Sequence, residues 1–170
     1  MRPEAEQGDQ SAGLDAPQSN PDDRGAIRVA LCVATFYAEL AEKLFQGARD
    51  ALSEQGVGIV ERFDVPGAFE LPLIASYAAR SGRYDAVVCL GAVIRGETDH
   101  YAYVCGEAAR GIQQVQLGTG IPCGFGVLTV ESMEQALERV TGGSKRDTGR
   151  QAALAALAAL AIKERVETRR

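Results

Sequence analysis

The sequence predicts an α/β protein, a three-layer sandwich in which a four-stranded parallel sheet lies between two layers of helices. Three observations carry that prediction. Four short apolar runs recur along the chain, separated by longer segments whose apolar residues fall at helical spacing. The third run, Asp85–Leu90 (DAVVCL), carries no polar residue after its first, as a strand needs when both of its faces are covered. Strands alternating with helices pair in parallel, each crossover right-handed.

Taken in order, Ile27–Ala34 (IRVALCVA) is the first strand. The helix after it runs from Tyr37 to Gln55, with Leu40, Leu44, Ala48, Ala51 and Leu52 near one face, and Gly56 stops it. Ile59–Val65 is the second strand, broken by Pro66-Gly67, and Ala68–Arg80 reads as a helix with Leu71, Ile74, Ala75 and Ala78 inward. Asp85–Leu90 is followed by a polar, glycine-containing loop, Gly91–Asp99, and by a helix, His100–Gly118. Pro122–Val130 gives the fourth strand, Ser132–Val140 a short helix, and the polar loop Thr141–Thr148 leads to a last helix, Gly149–Val166. Leu154, Leu157 and Ala161 share one face of that alanine-rich helix, while Ala158 and Leu160 occupy others. The expectation is burial on more than one side, against the sheet and a neighbouring subunit; the plainer reading is alanine used for its helix propensity. The order of elements is of flavodoxin-like type, in which ligands bind where loops leave the carboxyl ends of the strands. That rule selects Phe36, Val65–Glu70, Ala92–His100 and Leu128–Thr129.

Composition narrows the function classes. With 46% hydrophobic residues, 170 residues bury the core of one domain. A net charge of -5 disfavours a nucleic-acid binder, and 6% aromatic content without Trp disfavours a platform for stacking bases. The longest wholly apolar stretch, Ala152–Ile162, is too short to span a membrane. Residues 1–25 hold three Pro, three Gly and four Asp but no Val, Ile, Phe or Tyr, so they are expected to form a flexible arm ahead of a domain spanning 26–170. The arm has no apolar run of the secretory kind, and a cytoplasmic location is expected. Of the four cysteines, Cys32, Cys89 and Cys123 lie in or beside apolar runs and Cys105 in a helical pattern. No C-x-x-C spacing occurs and one His is present, so reduced thiols are expected rather than disulfides or a metal site.

Several residues have a structural and a chemical reading side by side. In Gly91-Ala-Val-Ile-Arg-Gly-Glu-Thr-Asp-His100, a buried strand runs into amides that precede a helix, a ready anion site. His100, the chain's single histidine, is a surface residue or a proton shuttle beside that site. Glu70, in the first turn after Pro66-Gly67, compensates a helix dipole or binds a polar ligand. Phe36 is a core residue or an aromatic lid over a planar heterocycle. Arg139 complements a helix end or folds its guanidinium over a phosphate. Gly124-x-Gly126 lies within a strand with no third glycine opening a helix, so it is not a dinucleotide fingerprint.

The blocks FYAELAEKLFQGARDAL, VPGAFELPL, LGAVIRGETDHYAYVCGEAARGI, IPCGFGVLTVESMEQALERV and GRQAALAAL resemble, in order, successive blocks of the lumazine synthases. The resemblance covers the chain from Ile27 to the last helix, and VPGAFELP together with V-I-R-G-E-T-x-H is highly specific. It implies a transferase of the penultimate step of riboflavin biosynthesis, condensing 5-amino-6-(D-ribitylamino)uracil with 3,4-dihydroxy-2-butanone 4-phosphate without a cofactor or metal. It implies a homopentamer, packed in some members into an icosahedral shell, with active sites between adjacent subunits. On that pattern Phe36 stacks on the pyrimidine, Ala68, Val93 and Ile94 bond its polar edge, and Glu70 takes ribityl hydroxyls. Glu97 and Thr98 offer amides to phosphate, Arg139 pairs with it, His100 moves protons, and Phe125 comes from the adjoining subunit.

One departure stands out. Where these enzymes commonly have Asn-Lys-Gly before the last helix, this chain has Asp147-Thr148-Gly149, which leaves Lys145 or Arg146 as substitutes for the missing lysine. The loop is also slightly longer than in shell-forming members, which puts shell assembly in doubt. Three other readings share parts of the pattern: a flavin-binding module, a structural compartment protein, and a riboflavin synthase of archaeal type. The first needs neither His100 nor Arg139, and the V-I-R-G-E-T-x-H block fits the third less well.

Overall fold

The computed structural model describes residues 26–168; the expected arm, 1–25, lies outside the described residues. Its elements are β1 (Arg28–Ala34), α1 (Ala38–Glu54), β2 (Ile59–Val65), a 3-10 turn (Ala68–Glu70) leading into α2 (Leu71–Arg80), β3 (Ala86–Ile94), α3 (His100–Thr119), β4 (Cys123–Val130), α4 (Met133–Leu137) and α5 (Thr148–Glu167). The four strands form one parallel sheet in the order β2-β1-β3-β4.

The period of two along the central strands divides the interior into two cores. Val29, Leu31, Val33, Val88 and Leu90 pack against α1 and α5, whereas Ala30, Cys32, Val87 and Cys89 pack against α2 and α3. Ala86–Leu90 are wholly buried, in line with the unbroken apolar run. The face anticipated for α1 is buried throughout, and Gly56, in the left-handed region at φ +74°, follows that helix. Cys32, Cys89 and Cys123 are buried free thiols and Cys105 is a half-buried one. Among the described residues no helix is long and apolar enough to cross a membrane.

The structure departs from the sequence reading in four places. Gly91–Ile94 is not loop: β3 runs on to Ile94, paired with β4 as far as Val130. The glycine that suggested a turn is there for packing, since a Cβ on Gly91 would stand 3.0 Å from that of Ala34. Ala68–Glu70 is a 3-10 turn because Pro72 has no N–H to close an α-turn on the Ala68 carbonyl; the Leu71 amide donates to it instead. The helix expected over Ser132–Val140 covers only Met133–Leu137, with Ser132 capping it through the Gln135 amide at 3.3 Å. In α5 the buried face is Ala152, Ala153, Ala156 and Leu160; Leu154 and Leu157 flank it, and Ala161 is exposed. A side chain on Gly124 would collide with the Ala152 carbonyl, so small residues on both partners let α5 lie directly on β4.

Candidate active site

In the order β2-β1-β3-β4 the chain leaves β1 toward one edge of the sheet and returns on its other side, so β1 and β3 flank the switch point where α/β sheets bind ligands. Three segments converge at that carboxyl edge. After β1, Thr35 gives its amide (2.9 Å) and its hydroxyl (3.1 Å) to the Val65 carbonyl at the end of β2, which fixes the turn that presents Phe36. Phe36 is 74% exposed and meets Tyr37 edge-on at 4.9 Å between ring centroids. The core reading of Phe36 is therefore overturned.

After β2, Gly67 is extended and Ala68 is buried beneath the turn. A Cβ on Gly67 would lie 3.3 Å from Glu70 Oε2, so the exposed Glu70 carboxylate folds back over this turn. After β3, half-buried Val93 and Ile94 lead into the exposed residues 95–100. The His100 amide donates to Thr98 Oγ1 at 3.4 Å, and the Asp99 side chain caps none of the amides opening α3. The Ala102 and Tyr103 amides turn to the Asp99 carbonyl, which leaves the amides of residues 96–99 and of Tyr101 for an anion.

The three segments enclose an open cleft of about 410 Å³. Phe36, Ala68, Glu70, Val93, Ile94, Thr98 and His100 all line it. Tyr37, Phe69, Tyr101 and Val104 join them; of these four the sequence reading had covered only Phe69, within Val65–Glu70. Tyr37 and Tyr101 each adjoin a flagged residue in the chain, Phe36 and His100, which was the available signal. Burial pushes the Tyr101 hydroxyl above its ordinary range, with Cys105 adding to the effect.

Three residues given substrate roles lie outside this cleft, as do Leu128 and Thr129, which the strand-end rule had selected. Glu97 is exposed in the loop but does not line it. Phe125, on edge strand β4, is 43% exposed. Arg139, just past α4, turns Nη1 to the Gln135 carbonyl (2.8 Å) and Glu138 Oε2 (3.3 Å). The Thr148 amide donates to the Arg139 carbonyl at 2.8 Å, so the position of the missing lysine adjoins Arg139. Arg146 is engaged with Gln151 at 2.6 Å. Among the described residues no group of three His, Cys, Asp or Glu side chains is placed to hold a metal ion.

A family model for 6,7-dimethyl-8-ribityllumazine synthase matches residues 26–164. The chain belongs to the lumazine synthase family. A 6,7-dimethyl-8-ribityllumazine synthase of Kineococcus radiotolerans is 50% identical over 147 residues, covering 86% of this chain and 90% of the relative. One of Desulfatibacillum aliphaticivorans is 53% identical over 114 residues, covering 66% of this chain and 74% of the relative. Membership makes the chain a transferase of riboflavin biosynthesis, on the α/β scaffold with an all-parallel four-stranded sheet. The lumazine synthase match begins at Ala26, just before β1.

Proposed function

We propose that the cleft binds 5-amino-6-(D-ribitylamino)uracil and 3,4-dihydroxy-2-butanone 4-phosphate and joins them into 6,7-dimethyl-8-ribityllumazine. The observation that carries this reading is the convergence of Phe36, Ala68, Glu70, Val93, Ile94, Thr98 and His100, drawn from three loops, on one cleft. Exposed Phe36 offers a flat apolar face to the pyrimidine, the Ala68 and Val93–Ile94 backbone meets its polar edge, and Glu70 accepts hydrogen bonds from the ribityl chain. The amides around Glu97 and Thr98 take the phosphate of the second substrate, a role suited to the unpaired N–H groups of the loop that leads into α3.

The chemistry then follows from the substrates. The 5-amino group attacks the ketone to form an imine with loss of water. Elimination expels inorganic phosphate, and the ribitylamino nitrogen closes the second ring with loss of a second water. Each stage moves protons, and His100 at the mouth of the anion site is the group that carries them. Holding both substrates in register supplies most of the acceleration.

The assembly we propose is a homopentamer. Phe125 and Arg139 stand outside the cleft of their own chain, so their assigned contacts, with the substrate ring and with phosphate, require a neighbouring subunit. The exposed apolar ridge Phe69, Leu73 and Tyr77 on and beside α2 supports association. Residues 26–170 form the catalytic domain, with 1–25 as an arm, and the enzyme works in the cytoplasm. Steady-state kinetics test the roles: His100→Ala should slow turnover by roughly 10²- to 10⁴-fold without abolishing it. Arg139→Ala should instead raise the KM for the keto-phosphate. Unchanged constants in both variants would remove these residues from the mechanism.

A further inference from the structure

The loop that carries Thr98 and precedes His100 has few ties of its own. The Asp99 side chain caps nothing, and the Thr98 hydroxyl bonds only locally, to the His100 amide. The loop is held at its two ends. At one, the Arg95 amide donates to the Val130 carbonyl at 2.9 Å, continuing the pairing of β3 with β4. At the other, Tyr101 stands in the first turn of α3 and lines the cleft beside His100.

One side chain joins these ends. Arg95 Nε lies 3.0 and 2.9 Å from the two oxygens of Glu131, just past β4. Its guanidinium carbon sits 4.1 Å from the centroid of the Tyr101 ring. A planar guanidinium can meet a carboxylate along its edge and an aromatic ring with its face, which a lysine cannot do. Glu131 is itself placed, because its amide donates to Gln135 Oε1 at 3.0 Å.

We propose that Arg95 is a positioning residue: keyed between Glu131 and Tyr101, it staples the loop across its base and sets where His100 and Thr98 stand in the cleft. The inference rests on the lumazine synthase reading of that cleft for its kinetic consequence, and not for its structural one. Arg95 and Glu131 are half-exposed or more, so their exchange leaves the core untouched.

The test exploits the single histidine, which gives one imidazole signal in a histidine-labelled NMR spectrum. Spectra and steady-state kinetics are recorded for the wild type, Arg95→Met, Arg95→Lys, Glu131→Gln and Arg62→Met. The last is a matched control: Arg62 pairs with Glu42 and stacks on Phe45 at 4.6 Å, away from the cleft. Arg95→Met should displace or broaden the His100 signal and lower kcat on the order of tenfold, as expected for a small misplacement of a catalytic group. Glu131→Gln should act in the same direction, Arg95→Lys should recover part of the loss, and Arg62→Met should change neither readout. An unmoved His100 signal in Arg95→Met overturns the proposal, even with kcat reduced, because Arg95 would then act on substrate directly. An equal effect from Arg62→Met overturns it as well. If the wild type itself shows no turnover above the spontaneous rate, the synthase reading fails while the His100 signal still decides the staple.

Discussion

Phe36 is a large aromatic residue left in solvent directly beyond a buried strand, and that combination costs apolar exposure unless a ligand covers the ring. Its replacement should act on binding and not on folding. Phe36→Ala should leave the thermal midpoint within a degree or two and weaken binding of the pyrimidine substrate by roughly 1–3 kcal/mol, the range for stacking a base on an aromatic ring. Isothermal titration beside a thermal scan measures both. At this scale the sequence was legible where a residue's place in the chain decides its exposure, as for Glu70 and His100 in the first turns of helices, whereas Phe36 was left open between core and lid until the structure exposed it. The sequence was not legible for Val104, and for Tyr101 only through its place next to His100, because the approach of both to the cleft depends on how α3 rolls against the sheet. Arg139 could be flagged from its chemistry, but one chain alone does not bring it to the cleft.

Helix contacts here depend on residues too small to keep neighbours apart. Gly149 in α5 meets the Leu44 carbonyl of α1, and Gly111 in α3 would place a Cβ 2.6 Å from Pro72 of α2. Both contacts hold the helical layers on either side of the sheet at close range. Gly149→Ala should destabilise the fold by about 1–3 kcal/mol, through forced separation of α1 and α5. Chemical denaturation should show it as a lower midpoint at an unchanged slope. The elements themselves were readable because the helical and strand periods differ, and all four strands and the long helices fall where the pattern put them. The misplacements share a cause. Gly91 and the alanines of α5 have packing roles set by partners far away in the chain, which local pattern does not carry. The turn at Ala68–Glu70 was the exception, since Pro72 announces it.

The whole molecule carries a buried patch of thiols on the side of the sheet that faces α2 and α3, where Cys32, Cys89 and Cys123 belong to one core. Burial pushes the Cys123 thiol up to about 12, and Cys32 and burial together hold Cys89 protonated. Burial, with the Glu61 carboxylate next to its hydroxyl, raises Tyr84 to about 12 as well. The folded chain therefore keeps protons that the unfolded chain gives up from about pH 9 upward, so stability should fall as pH rises from there toward 12. Denaturation midpoints across that window would show the decline; a flat profile would mean that these groups are solvated in the folded protein. The same burial predicts slow alkylation of the folded protein near pH 8, and rapid reaction of all four thiols in denaturant. Oligomeric state belongs to this scale too, since the proposed site includes Phe125 and Arg139 and the cleft of one chain contains neither. The most direct measurement is the rate at which the purified wild type forms lumazine from the two substrates, followed by absorbance and corrected for the spontaneous reaction. Turnover well above background is the predicted result. A folded protein that merely matches the spontaneous rate, and binds riboflavin in the same cleft, would contradict the synthase account and leave a flavin-binding module.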